Sequence, residues 1–240
     1  YYALTALHYL AGSLDAMLSA AEVYEQLAIE TRMPGEQQMA RITLAAVYLE
    51  RNQVQEAAEL LSALFAQADH ARQQTLRLAA LMVLDIYSEQ EKPPLAETAL
   101  EILRRRLHLY PSAMEQQEIE AMAAFLAVRR GDKAAGERYL QAVGAEAHAP
   151  PLLAFVSYRG ILQIIICQLL GGRDHLAQAS EVAERLLPGY RSAAGVREQV
   201  GLLVLMAKTF WLRKLEAPAL ARLREALALG YPLGLRRVFT

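Results

Sequence analysis

The chain has 240 residues, a formal net charge of −1 and a sequence pI near 6.6, with 54% hydrophobic and 21% charged residues. It therefore lacks the excess of Lys and Arg that draws a protein onto phosphate backbones, which excludes nucleic acid as an evident partner. Ala and Leu dominate the apolar part while β-branched residues are sparse, so an all-α fold is predicted.

From the N-terminus, Tyr1 already lies in a helical pattern, with neither an initiator Met nor the basic and apolar regions of a signal peptide. The expectation is a segment of a longer chain, residues 1–240 forming one repeat domain. A helix–turn–helix pattern surrounds Gly12 weakly. The clearest unit runs from Leu44 to Leu64, a helix, a tight turn at Asn52 and a second helix. The same unit recurs around Glu91, Gly131, Gly172 and Lys214, so the turns at 12, 52, 91, 131, 172 and 214 are 40, 39, 40, 41 and 42 residues apart. The second helices begin near Leu95, Lys133, Leu176 and Pro218, and six helix pairs are predicted. In the fifth pair two registers stay open. Gly171-Gly172 marks one; aligning Cys167 and Ala179 with the small residues of other pairs moves the mark to Asp174.

The nine prolines fit this scheme. Pro34, Pro111, Pro150, Pro151, Pro188 and Pro232 fall between repeats, and Pro93, Pro94 and Pro218 fall in the first turns of second helices, where the missing N–H costs nothing. The longest apolar stretches, Ile161 to Leu170 and Leu202 to Ala207, are interrupted by Gln163, Gln168 and Lys208, short of the roughly 20 residues of a membrane span. The single Cys167 has no disulfide partner and reads as a small core residue, so the cytoplasm is the expected compartment.

The spacing Leu44, Ala45, Tyr48, Ala57, Leu61, Leu64 resembles the tetratricopeptide signature, in which small residues let two helices approach and a large one fills the space beside them. That resemblance covers most of the chain and implies a right-handed superhelical α-solenoid. The period here is near 40 residues against about 34 for an ordinary tetratricopeptide repeat. The ending Ala219-Leu220, Leu223, Ala226-Leu227, Leu229, then Gly234-Leu235-Arg236-Arg237-Val238-Phe239-Thr240, resembles the close of the lengthened repeat domain in MalT-type activators, the large ATP-binding branch of the LuxR-type regulators. The resemblance implies the sensor arm of a bacterial transcription regulator. Neither a Gly-x-x-x-x-Gly-Lys-Ser/Thr phosphate loop nor a basic helix-turn-helix is present, so neither ATP hydrolysis nor DNA binding carries over to these residues.

Chemistry is sparse. His8, His70, His108, His148 and His175 stand alone, without the i, i+4 or Cys-x-x-Cys spacings that metals need. The run Arg104-Arg105-Arg106 closes a second helix, where cations suit the dipole and solvent. No Gly-x-Ser-x-Gly elbow or aspartate-rich cyclase motif occurs, so no catalytic residue, metal or cofactor is expected and the chain is read as a non-enzyme.

Polar residues within apolar first helices carry more information, because a buried charge without a partner is costly. Asp85 and Lys208 each lie six residues before a turn mark, Glu91 and Lys214, and Ala46 and Phe125 hold the same place before Asn52 and Gly131. By resemblance to tetratricopeptide repeats this position lines the concave groove. Arg159, Gln163 and Gln168 are further candidates from the fifth pair, and Trp211 is a candidate aromatic anchor. The expected function is to receive a protein, peptide or small-molecule effector in the groove; the alternative is a free-standing adaptor holding a partner's peptide or helix there.

Overall fold

The computed structural model describes residues 13–89, 94–144, 158–193, 195–233, 235 and 239. Eleven α-helices occur among them and no strand: α1 Leu14–Glu30, α2 Pro34–Glu50, α3 Val54–Ala66, α4 Gln73–Glu89, α5 Pro94–Leu109, α6 Ala113–Arg129, α7 Lys133–Gly144, α8 Tyr158–Leu170, α9 Arg173–Ala193, α10 Val196–Leu212 and α11 Glu216–Gly230. Short 3-10 turns follow α3 at Ala68–His70 and α11 at Tyr231–Leu233. The fold is all-α. The weak copy around Gly12 and the turn at Glu91 lie outside the described residues, as do Pro93, Pro150 and Pro151.

Three of the remaining turns end their first helix in one way. Asn52, Gly131 and Lys214 take positive φ, 60°, 95° and 60°, and each donates its N–H to the carbonyl three residues back. The next residue reaches five back: Gln53 to Tyr48 O at 2.8 Å, Asp132 to Ala127 O at 3.0 Å and Leu215 to Phe210 O at 2.9 Å. This pair of bonds is the Schellman closure, which satisfies carbonyls that a helix end leaves open. Asp132 also accepts the Ala135 N–H at 3.0 Å, capping the start of α7.

The helices cluster into two compact units, the first running to Ser112 and the second starting at Ala113. In the first unit, α2 packs on α1, α3 and α4, and α3 packs on α4 and α5. Met17 of α1, Ala46 and Val47 of α2 and Met82 of α4 share one apolar cluster. Polar bonds fasten the same neighbours: Tyr24 donates to Glu36, Arg72 Nη2 lies 2.6 Å from the other Glu36 oxygen, and Arg106 Nη2 donates to the carbonyls of Ala68 and Ala71, both at 2.7 Å.

In the second unit, α6 packs on α7 and α8, α8 on α9 and α10, and α10 on α9 and α11. Small residues mark the close approaches: Ala121, Ala179, Ala183 and Ala226 have no exposed surface. Gly136 of α7 is closer still, because a Cβ there would lie 2.5 Å from Val128 Cγ2 of α6.

The fifth pair resolves into both registers at once. α8 ends at Leu170, two residues before Gly172, as α2, α6 and α10 end two before Asn52, Gly131 and Lys214. In α9 the buried Ala179 and Ala183 align with Ala57 and Leu61 only when counted from Asp174. Only Gly171 and Gly172, at φ 70° and 80°, separate α8 from α9, one residue fewer than in the other three turns, so the two-residue offset is taken up by an earlier start of α9. Pro188 corrects the proline scheme: it lies inside the 21-residue α9 rather than between repeats. Pro188 is exposed, and on a solvated face water substitutes for the hydrogen bond that Pro removes.

Two consequences are measurable. Gly136→Ala adds helix propensity of about 1 kcal/mol but crowds the stiff Val128, and overpacking costs about 1–3 kcal/mol, so the variant should melt below the parent in a thermal scan; a higher midpoint would disprove the close contact. The hydrogen bond from Tyr24, with the charge of Arg72, holds the Glu36 carboxyl below its ordinary value of 4.5 against the opposing effect of burial. A depressed folded-state value contributes stability above pH 4.5 that is lost as pH falls through it. Glu36→Gln should lower stability at pH 7 by on the order of 1 kcal/mol, and urea midpoints of parent and variant should converge on acidification.

Candidate functional site

The position six residues before each turn mark is a packing position in three helices. Ala46 is 9% exposed, Phe125 3% and Ile166, counted from Gly172, 0%. Ala46 meets Met17 and Met82, so this face meets the adjoining pair rather than solvent. Phe125 is therefore core, contrary to the groove-lining expectation. Asp85 lies in α4, with its side chain outside the described residues. Lys208, at the same position in α10, is exposed.

Arg159, Gln163 and Gln168 all lie on α8 and work inside the second unit. Gln163 is 5% exposed. Arg159 Nη1 donates to Gln117 Oε1 of α6 and lies beside Tyr139, whose hydroxyl burial pushes up to about 12 despite the opposing guanidinium charge. Gln168 aligns with Tyr48, Ala127 and Phe210, four residues before the mark. Its Nε2 donates to Leu205 O at 3.0 Å and to Thr209 Oγ1 at 2.8 Å, while Thr209, fully buried, donates back to Leu205 O at 2.8 Å. Gln168 thus pins α8 to α10.

Of the seven candidates, Lys208 and Trp211 share the exposed end of α10, where Trp211 is 60% exposed and Leu212 43%. Beside this end is an open cleft between α9 and α10 lined by Ser180, Glu181, Glu184, Arg185, Phe210 and Arg213. Arg213 Nη1 donates to Ser180 Oγ at 2.8 Å. Glu184 pairs at 3.3 Å with Arg222 of α11, which also lies 3.1 Å from Glu225. Burial pushes the Glu225 carboxyl up, but the hydrogen bonds and charges of Arg191 and Arg222 outweigh it and hold the value below 4.5. These residues carry no signal in the sequence, because nothing in the pattern of α9 says which of its polar residues faces Phe210.

No protein family and no curated protein matches the chain. The Cys167 thiol is fully buried, and burial pushes it up to about 12, far from nucleophilic reactivity. Among the described residues no three His, Cys, Asp or Glu side chains stand close enough to hold a metal ion, and no helix is long and apolar enough to cross a membrane. His175 bridges its ring nitrogens to Gly171 O at 2.8 Å and to Glu137 Oε2 at 3.0 Å, a link from α9 to α7.

Two substitutions one repeat apart separate packing from surface. Gln168→Ala strips Thr209 and Leu205 of a buried partner and should cost about 1–3 kcal/mol, whereas Lys208→Ala should stay within about 0.5 kcal/mol of the parent in urea unfolding. Equal losses would show that Lys208 is structural.

Proposed function

We propose that this chain is the sensor or protein-interaction arm of a bacterial transcription regulator of the MalT type. About six tetratricopeptide-like pairs would stack as a right-handed superhelix whose concave groove receives an effector, a peptide or another domain. The observation that supports this is the one-period step of its contacts. Besides Tyr24–Glu36 and Arg41–Glu25, 12 and 16 residues apart, a set of side-chain hydrogen bonds joins residues 33 to 42 apart, from Arg213–Ser180 to Arg159–Gln117, close to the turn spacing of the sequence. An array held only by nearest neighbours presents an extended surface at little cost to its core, which suits reception rather than catalysis. The Ala-Leu ending from Ala219 to Leu229 favours the regulator over a free adaptor, and no catalytic step, metal or cofactor belongs to this reading.

The decisive observation is the gene around this segment. A reading frame that continues into a phosphate-loop ATPase domain upstream and a helix-turn-helix downstream is expected; a frame with neither overturns the regulator. The isolated 240-residue chain should neither hydrolyse ATP, because it holds no Gly-x-x-x-x-Gly-Lys-Ser/Thr loop, nor bind random duplex DNA at physiological salt, because its net charge is −1.

A further inference from the structure

We propose that the cleft between α9 and α10 binds a small zwitterion with an apolar body, an amino acid or dipeptide that carries an aromatic or branched side chain. The cleft has a volume of about 550 Å³, inside the range of roughly 300–1,000 Å³ typical of small-molecule sites. Its α9 wall is one face of the helix, since Ala177, Ser180, Glu181 and Glu184 follow i, i+3, i+4 and i+7. Phe210, near the end of α10, and Arg213, in the turn after it, make the other wall. This site lies wholly within the second unit and is independent of the regulator reading, which the surrounding gene decides.

Both signs of charge line the cleft, and two of its charged side chains remain available to a ligand. Glu184 pairs with Arg222 at 3.3 Å, and Arg185 is also engaged. Glu181 is exposed and has no partner among the described residues. Arg213 bonds Ser180 Oγ alone, at 2.8 Å. Two opposite charges therefore share one cleft without pairing with each other.

Arg213 is also held in advance. Ser180 is 7% exposed and donates its own hydrogen to Leu176 O at 3.1 Å, so its oxygen meets the guanidinium as an acceptor. A guanidinium carries five N–H donors in a rigid fork, and one bond to a buried hydroxyl restrains the side chain while leaving donors for a carboxylate. Restraint before binding reduces the entropy lost on binding.

These groups specify the occupant. A carboxylate suits Arg213, an ammonium suits Glu181, and the half-buried Phe210 offers apolar surface to the body that joins them. A plain acid would bring a like charge to Glu181, and a plain amine would bring one to Arg213; like charges brought together are unfavourable. A zwitterion satisfies both.

The test is an amide NMR titration of the 240-residue chain with L-phenylalanine and with leucyl-phenylalanine, up to on the order of 10 mM. Saturable shifts at Ser180, Glu181, Phe210 and Arg213 are expected, with a Kd of about 1 mM or tighter for at least one of the two compounds. The N-acetylated form of the binder, which lacks the ammonium, and its amide, which lacks the carboxylate, should each bind at least about fivefold more weakly to the parent chain. Glu181→Gln should abolish the first difference and Arg213→Gln the second. Both side chains are exposed, and circular dichroism melts verify that each variant stays folded; should one unfold, the blocked compounds on the parent chain decide. No saturable shift with either compound, shifts centred away from the cleft, or blocked compounds that bind as well as the unblocked one overturn the proposal, as do folded variants that keep both differences.

Discussion

The described helices bury their apolar residues chiefly on helices next to them or next but one along the chain. Close approach makes this possible. Ala45, Ala57, Ala121, Ala179 and Ala226, each without exposed surface, bring helix backbones near enough for the Leu, Ile and Met side chains around them to interdigitate. Gly136 is the extreme of the same rule, where even a methyl group would meet Val128.

Polar bonds reinforce the neighbour-to-neighbour logic. Glu36 gathers Tyr24 and Arg72, Gln168 reaches Thr209, Arg106 takes the carbonyls left open around the 3-10 turn after α3, and His175 reaches Glu137. Each contributes modestly, since partly exposed pairs are screened by solvent. Their shared effect is register: a slip of one residue in any helix breaks a bond to the pair before or after it. The left-handed turns at Asn52, Gly131 and Lys214 fix the same register from within each pair.

Such a framework leaves few polar groups for function. A position that serves as packing in α2, α6 and α8 becomes a charged, solvated Lys208 in α10, and Trp211 follows it to the surface. Of the side chains that line the cleft beside Phe210, Arg213 is tied to Ser180 and Glu184 to Arg222.

By itself the sequence determined the all-α class, the turns at Asn52, Gly131, Gly172 and Lys214, and the helices on either side, because a 3.6-residue apolar period broken by αL-tolerant residues is local information. It misplaced Pro188, since an exposed helix face tolerates a proline whenever packing on both sides of it is strong enough, and packing is not written locally. Only the tertiary structure decided that Phe125 and Gln163 are core, that Gln168 bonds α10 instead of facing solvent, and that the fifth pair carries two extra residues. A helix has several faces, and which of them meets a neighbour depends on the position of helices one period away, a relation that no single helix encodes.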